Sequence, residues 1–128
     1  MSTLRDLARR LADGGALPVG LGDFLDGFYR GPVADLLAEE PEPLRGRVND
    51  GDVLDAYLAA IAERLARQYG FGPPAWAFAD ARYLHRPAFG SRSAAMRATR
   101  LLESPSEFRS RHIFVTANVL DRASRHAA

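Results

Sequence analysis

Apolar side chains recur along this chain at three- and four-residue spacing, the period of amphipathic helices, and short glycine and proline clusters interrupt them. The spacing predicts a first helix over "TLRDLARRLADGG", with Leu4, Leu7, Ala8 and Leu11 on one face. Thr3 followed by Asp6 forms its capping pattern, and Gly14-Gly15 ends it. A loop holding Pro18 and Gly20 is expected next, leading into a short helix in "GDFLDGFYRG" that buries Phe24, Leu25 and Phe28. Pro32 suits the first turn of a third helix, "PVADLLAEE", with Val33, Leu36 and Leu37 inward. Pro41 and Pro43 stop it.

The strongest pattern is "NDGDVLDAYLAAIAERLARQYG", where Val53, Leu54, Tyr57, Leu58, Ile61, Leu65 and Tyr69 keep helical register. It reads as the central core helix, capped by Asp50 or Asp52, paired internally by Glu63 and Arg67, and ended by Gly70. An aromatic-rich connection follows, "FGPPAWAFADARYLHRPAFG", with one short helix expected around residues 80–85. "SRSAAMRATRLLE" returns to helix, with Ser91 or Ser93 as its cap. Then "SPSE" gives the capping box of a short helix, with Ser104 as cap, Pro105 first, Glu107 completing the box and Phe108 as anchor. "HIFV" reads as a strand fragment or an extended buried linker, and Thr116 and Asn118 open a last helix carrying Val119, Leu120 and Ala123. The fold class is therefore all-α, a compact single-domain bundle of six or seven helices over residues 1–128, with residues 1–22 as an N-terminal helix and loop.

Composition narrows the chemistry. No cysteine is present, which removes disulfides, thiolate metal sites and thiol catalysis. No apolar run approaches the ~20 residues of a membrane-spanning helix, and the N-terminal stretch carries charges where a signal peptide is apolar, so a cytoplasmic location is expected. All 17 basic residues are arginine. They are unevenly placed: residues 1–79 hold 8 Arg against 12 Asp and Glu, net −4, and residues 80–128 hold 9 against 4, net +5. That polarity suggests a basic C-terminal face suited to an acidic partner or to nucleic acid, or else a solvated surface balanced by the acidic half.

Site motifs are scarce. His85, His112 and His126 form no i,i+4 metal pair and have no carboxylate at ligand spacing. "NDGDVLD" lacks the later acids of a calcium loop, and "GFGPP" offers prolines where a phosphate cradle needs N–H donors. No serine sits in a nucleophile elbow. No catalytic residue, cofactor or metal ligand is selected, and the expectation is a protein without enzymatic activity. For nucleic acid, Arg82, Arg86, Arg92, Arg97, Arg100, Arg109 and Arg111 supply charge, with Tyr83, Phe89 and Phe108 interspersed for stacking. A helix-turn-helix pattern is missing from the first 30 residues.

Four strings in order, "YLAAIAERLARQYG", "PPAW", "YLHRPAF" and "LLESPSEFRSRHIFVTANVLDRAS", resemble a bacterial family of small antitoxin-like proteins. In some members the segment follows an Xre-type helix-turn-helix. The likeness spans residues 23–124 and is sharpest at Ser104-Pro105, Phe108-Arg109, Arg111, Ile113-Phe114-Val115 and Asn118 through Leu120 to Arg122-Ala123. The resemblance implies a non-catalytic module that neutralises a nucleotidyltransferase-like toxin, whose acidic, metal-coordinating cleft a basic patch could enter. The departure is the missing DNA-binding module, which puts operator binding in doubt. Trp76, Tyr83, Arg86, Phe89, Phe108, Arg109 and Arg111 are the candidate partner contacts, each weighed against a place in the core or a solvated face. Self-association is a further option, and a small nucleic-acid-binding regulator is the alternative function.

Overall fold

The long helix predicted near residue 50 meets the N-terminal helix, the aromatic connection and the closing segment, while residues 17–38 pack chiefly on the N-terminal helix. A computed structural model describes residues 2–89 and 103–122. Helix α4, Gly51–Gln68, is buried on nearly every side: Leu58, Ala59, Ala60, Ile61 and Ala62 are consecutive and wholly inaccessible. A surface helix hides one stripe, whereas a helix with neighbours all round hides successive residues. The alanines let those neighbours approach closely.

Helix α1, Leu4–Ala12, forms as expected. Thr3 Oγ accepts the Asp6 N–H at 3.1 Å, Asp6 accepts the Thr3 N–H at 3.0 Å, and Leu4, Leu7, Ala8 and Leu11 are buried. Helix α2 corrects the expected loop: it runs from Leu17 to Arg30, taking in Pro18 and Gly20. Proline in a first turn gives up an N–H that has no intrahelical acceptor in any case, so Pro18 is accommodated as the second residue of the helix. Gly20 and Gly22 serve packing. A Cβ would stand 2.8 Å from Leu7 Cδ1 at the first and 2.9 Å from the Arg122 guanidinium at the second. Helix α3 shrinks to one turn, Asp35–Ala38, burying Leu36 and Leu37 while Val33 stays 44% exposed, against the inward position expected of it.

Neither aspartate caps α4 through its side chain, because Asp50 is left-handed at φ 55°. Asp55, one turn inside, holds the preceding loop instead. Its carboxylate accepts the Leu44 N–H at 2.7 Å and the Arg45 N–H at 3.2 Å. The close approach needs Gly51, where a Cβ would come within 2.0 Å of the Leu44 carbonyl oxygen. Gly70, at φ +75°, ends the helix as expected, and the Glu63–Arg67 pair forms at 2.5 Å.

Past α4 the aromatic connection makes two 3-10 turns, Ala75–Phe78 and Asp80–Arg82, both against α4, where a single helix was expected. The helix predicted over "SRSAAMRATRLLE" lies outside the described residues apart from Glu103, as does the end of the chain after residue 122. Helix α5, Ser106–Arg109, begins later than the capping box predicts. Ser104 does not cap it: the hydroxyl accepts the Val115 N–H at 2.9 Å and donates to the Val115 carbonyl at 3.0 Å. The Glu107 carboxylate turns to Arg64 and Arg67. "HIFV" does contain a strand, β2 (Ile113–Phe114), paired in parallel with β1 (Ala88–Phe89), and Phe89 stacks on Phe114 at 4.9 Å. Residues 117–120 form turns where the last helix was expected. Five helices against one two-residue strand pair make the described fold all-α, and no described helix is long and apolar enough to cross a membrane.

Candidate partner-binding site

Of the described arginines of the C-terminal half, Arg82 and Arg111 are buried and Arg122 is partly exposed, and all three pair with carboxylates. Arg111 is wholly buried. Its Nη1 donates to Glu63 Oε1 at 2.7 Å and to the Glu107 carbonyl at 2.8 Å, and its Nη2 donates to the Ala77 carbonyl at 2.7 Å. The guanidinium carbon lies 4.6 Å from the Tyr83 ring centre and 5.8 Å from that of Phe78, so the cation also meets two aromatic rings. Glu63 and Glu107 are shared with Arg67 and Arg64 at the edge of the core, at 2.5 and 3.4 Å. The Arg111 Nε–H alone finds no acceptor among the described residues; the acceptors at Nη1 and Nη2 and the Glu63 counter-charge offset the burial of the rest.

Arg82, at the end of the second 3-10 turn, repeats the arrangement. It is 2% exposed and donates to the Pro41 carbonyl at 2.7 Å, to Glu40 at 3.2 Å and to the Asp55 carbonyl at 3.3 Å, with the Trp76 ring 5.0 Å from its Cζ. Arg122 makes a bidentate pair with Asp26 on α2, at 2.9 and 3.2 Å. That pairing holds the Asp26 carboxyl below its usual range and lifts the Arg122 guanidinium. Each of the three arginines follows residue 79 and reaches a carboxylate before it. Three of the five described arginines after residue 79 thus fasten the basic back of the sequence to its acidic front.

The candidate contacts scatter accordingly. Phe108 and Arg111 were expected on a partner face and lie inside instead, Phe108 with its ring edge-on to Tyr57 at 5.2 Å. Tyr83 is half-buried beneath Arg111, and Phe89 is half-buried against Phe114. Arg86 and Arg109 are exposed, with no ion pair among the described residues. Arg86 lines a hollow of about 290 Å³ with Tyr83, His85, Arg45 and Asp52. His112 is left-handed at φ 62°, and its Nδ1 lies 2.6 Å from the Leu84 carbonyl. No group of three or more His, Asp or Glu among the described residues could hold a metal ion.

Trp76 opens a feature that the arginine pattern concealed. Its indole N–H donates to the Leu37 carbonyl at 3.1 Å, which joins the first 3-10 turn to α3. Between them runs an apolar groove of about 340 Å³, with Ala34, Leu37 and Ala38 on one wall and Phe71, Pro74 and Trp76 on the other. Val33 and Phe78, on the same two segments, are each 44% exposed, and among the described residues only Val19 is a more exposed large apolar side chain. The traces in the sequence are faint: two alanines four apart, and a Pro-Pro pair before the lone tryptophan. No protein-family model, curated protein or solved structure matches the chain.

Proposed function

We propose that this chain is a non-catalytic protein-binding module of the antitoxin kind, which neutralises a nucleotidyltransferase-type toxin in the cytoplasm. The observation that carries the binding half of this reading is the groove beside Trp76. It is a concave apolar surface, rigidly held, with exposed hydrophobic residues on both of its segments. The toxin half rests on the resemblance of the closing segment. Most of the residues that carry it, among them Ser104, Phe108, Arg111, Ile113, Val115 and Leu120, are buried, so the shared pattern describes a fold and leaves the exposed remainder to meet the partner. In the same reading the chain is a bundle of six or seven helices, the pattern over residues 91–103 adding to the five described.

The test is co-expression with the product of an adjacent nucleotidyltransferase-like gene. A complex that survives gel filtration, together with rescue of toxin-arrested growth, supports the reading. Two soluble proteins that elute apart and give no rescue overturn it.

Exposed Arg45, Arg86 and Arg109, none ion-paired among the described residues, favour nucleic-acid binding as the second reading. Burial of Arg82 and Arg111 takes away two of the phosphate contacts that the sequence offered. The described residues leave about three such contacts, which by themselves would make log affinity fall with log salt at a slope of roughly −3. No binding to duplex or single strands at about 50 mM salt excludes this reading.

A further inference from the structure

The groove beside Trp76 has walls whose charge is the opposite of the basic face suggested by the sequence. Residues 32–43, "PVADLLAEEPEP", hold four acids and no arginine, and residues 70–80, "GFGPPAWAFAD", hold one acid and no arginine. Arg5 and Arg82 neutralise Glu39 and Glu40, at 2.6 and 3.2 Å, and Arg47 pairs with Glu42. The charges left on these segments without an ion pair among the described residues are Asp35 and Asp80, both exposed. Asp35 follows the groove residue Ala34 in the chain without lining the groove itself, and Asp80 follows the turn that carries Trp76.

We infer that the groove receives one or two large apolar side chains of a protein partner, flanked there by arginine or lysine. The inference rests on the protein-binding reading above and adds the chemistry of the partner's docking segment. A volume of about 340 Å³ fits an anchor and falls short of a whole interface. The wall is already organised: Trp76 is held by the Leu37 carbonyl on one side and by Arg82 over its ring, so little side-chain freedom is lost on binding. A small-molecule pocket carries a few convergent polar groups, but the indole N–H, the polar side-chain group on this wall, is already donated. The described residues of a second copy offer no such anchor. Among the described residues, Val19 is the exposed large apolar side chain away from the groove, and it lies in "ALPVGLGD", which has one aspartate and no arginine.

The experiment titrates ¹⁵N-labelled protein with the peptide acetyl-RLFRRLLR-amide and, separately, with acetyl-ELFEELLE-amide. Saturable shifts of the Trp76 indole signal and of the Ala34, Ala38 and Ala75 amides are expected, with the basic peptide at least tenfold tighter. Asp35→Arg with Asp80→Arg should weaken the basic peptide at least fivefold. Ala38→Trp and Ala75→Trp, both at exposed positions, should each weaken it at least tenfold with an unchanged melting temperature. Equal affinity for the two peptides, or shifts centred elsewhere, overturns the inference. So does a dimer that Ala38→Trp converts to monomer, or indole saturating the groove while the peptides do not bind. Failure to neutralise the toxin with peptide binding intact would count against the toxin and leave the groove in place.

Discussion

Arg111→Met keeps the length and apolar stem of the side chain and deletes the guanidinium. What remains is a buried Glu63 carboxylate without its 2.7 Å partner and two carbonyls, of Ala77 and Glu107, without their donors. Removing one member of a buried pair costs about 3–5 kcal/mol, because the survivor stays desolvated. Arg67 still reaches Glu63 at 2.5 Å, but its side chain is 54% exposed, so it compensates in part. The expected loss is therefore about 3 kcal/mol, and for a chain of this size that lowers the melting temperature by roughly 10–15 °C. Urea unfolding followed by circular dichroism measures the loss, with Arg109→Met as control, since its exposed side chain should change stability by no more than about 0.5 kcal/mol. Adding Glu63→Met to Arg111→Met removes the stranded carboxylate, and the cycle should return a coupling of about 1–3 kcal/mol. If Arg111→Met costs less than about 1 kcal/mol, or no more than Arg109→Met, the guanidinium is not the internal fastener described above.

Three further outcomes follow from the packing. Gly51→Ala drives a Cβ against the Leu44 carbonyl, a backbone atom that cannot swing aside, and should cost about 3–5 kcal/mol in urea unfolding. Ser104→Ala strands both the N–H and the C=O of Val115 and should cost about 1–3 kcal/mol, with faster exchange of the Val115 amide. Burial pushes the Tyr57 hydroxyl up from 10.0 to about 12, so the unfolded chain releases this proton first as pH rises. Stability should then hold below pH 10 and decline by roughly 2–3 kcal/mol between pH 10 and 12, and Tyr57→Phe should remove that decline.

The sequence alone was enough for the elements whose causes are local. Thr3 and Asp6 are three residues apart, so their mutual cap depends on nothing distant, and α1 appears where its pattern predicts. The long apolar register from Val53 to Tyr69 likewise marked α4 as central. Local rules failed where a residue had two competing uses. Ser104 could cap α5 or bond Val115, and the buried strand end at residues 113–115 offered the hydroxyl both a donor and an acceptor. Pro18 and Gly20 read as loop, yet a first-turn proline and a glycine packed against Leu7 are both compatible with helix.

Charge shows the division most clearly. The sequence by itself determined that the front of the chain is acidic and the back basic, because that is only counting. Whether the arginines face water or carboxylates depends on which residues meet across 40 to 100 positions, as with Arg111 and Glu63, Arg82 and Glu40, or Arg122 and Asp26. A guanidinium looks the same in sequence whether it is solvated or buried, and only its surroundings in three dimensions separate the two. The groove beside Trp76 is likewise a tertiary product, since its walls come from segments more than 30 residues apart and neither is concave alone.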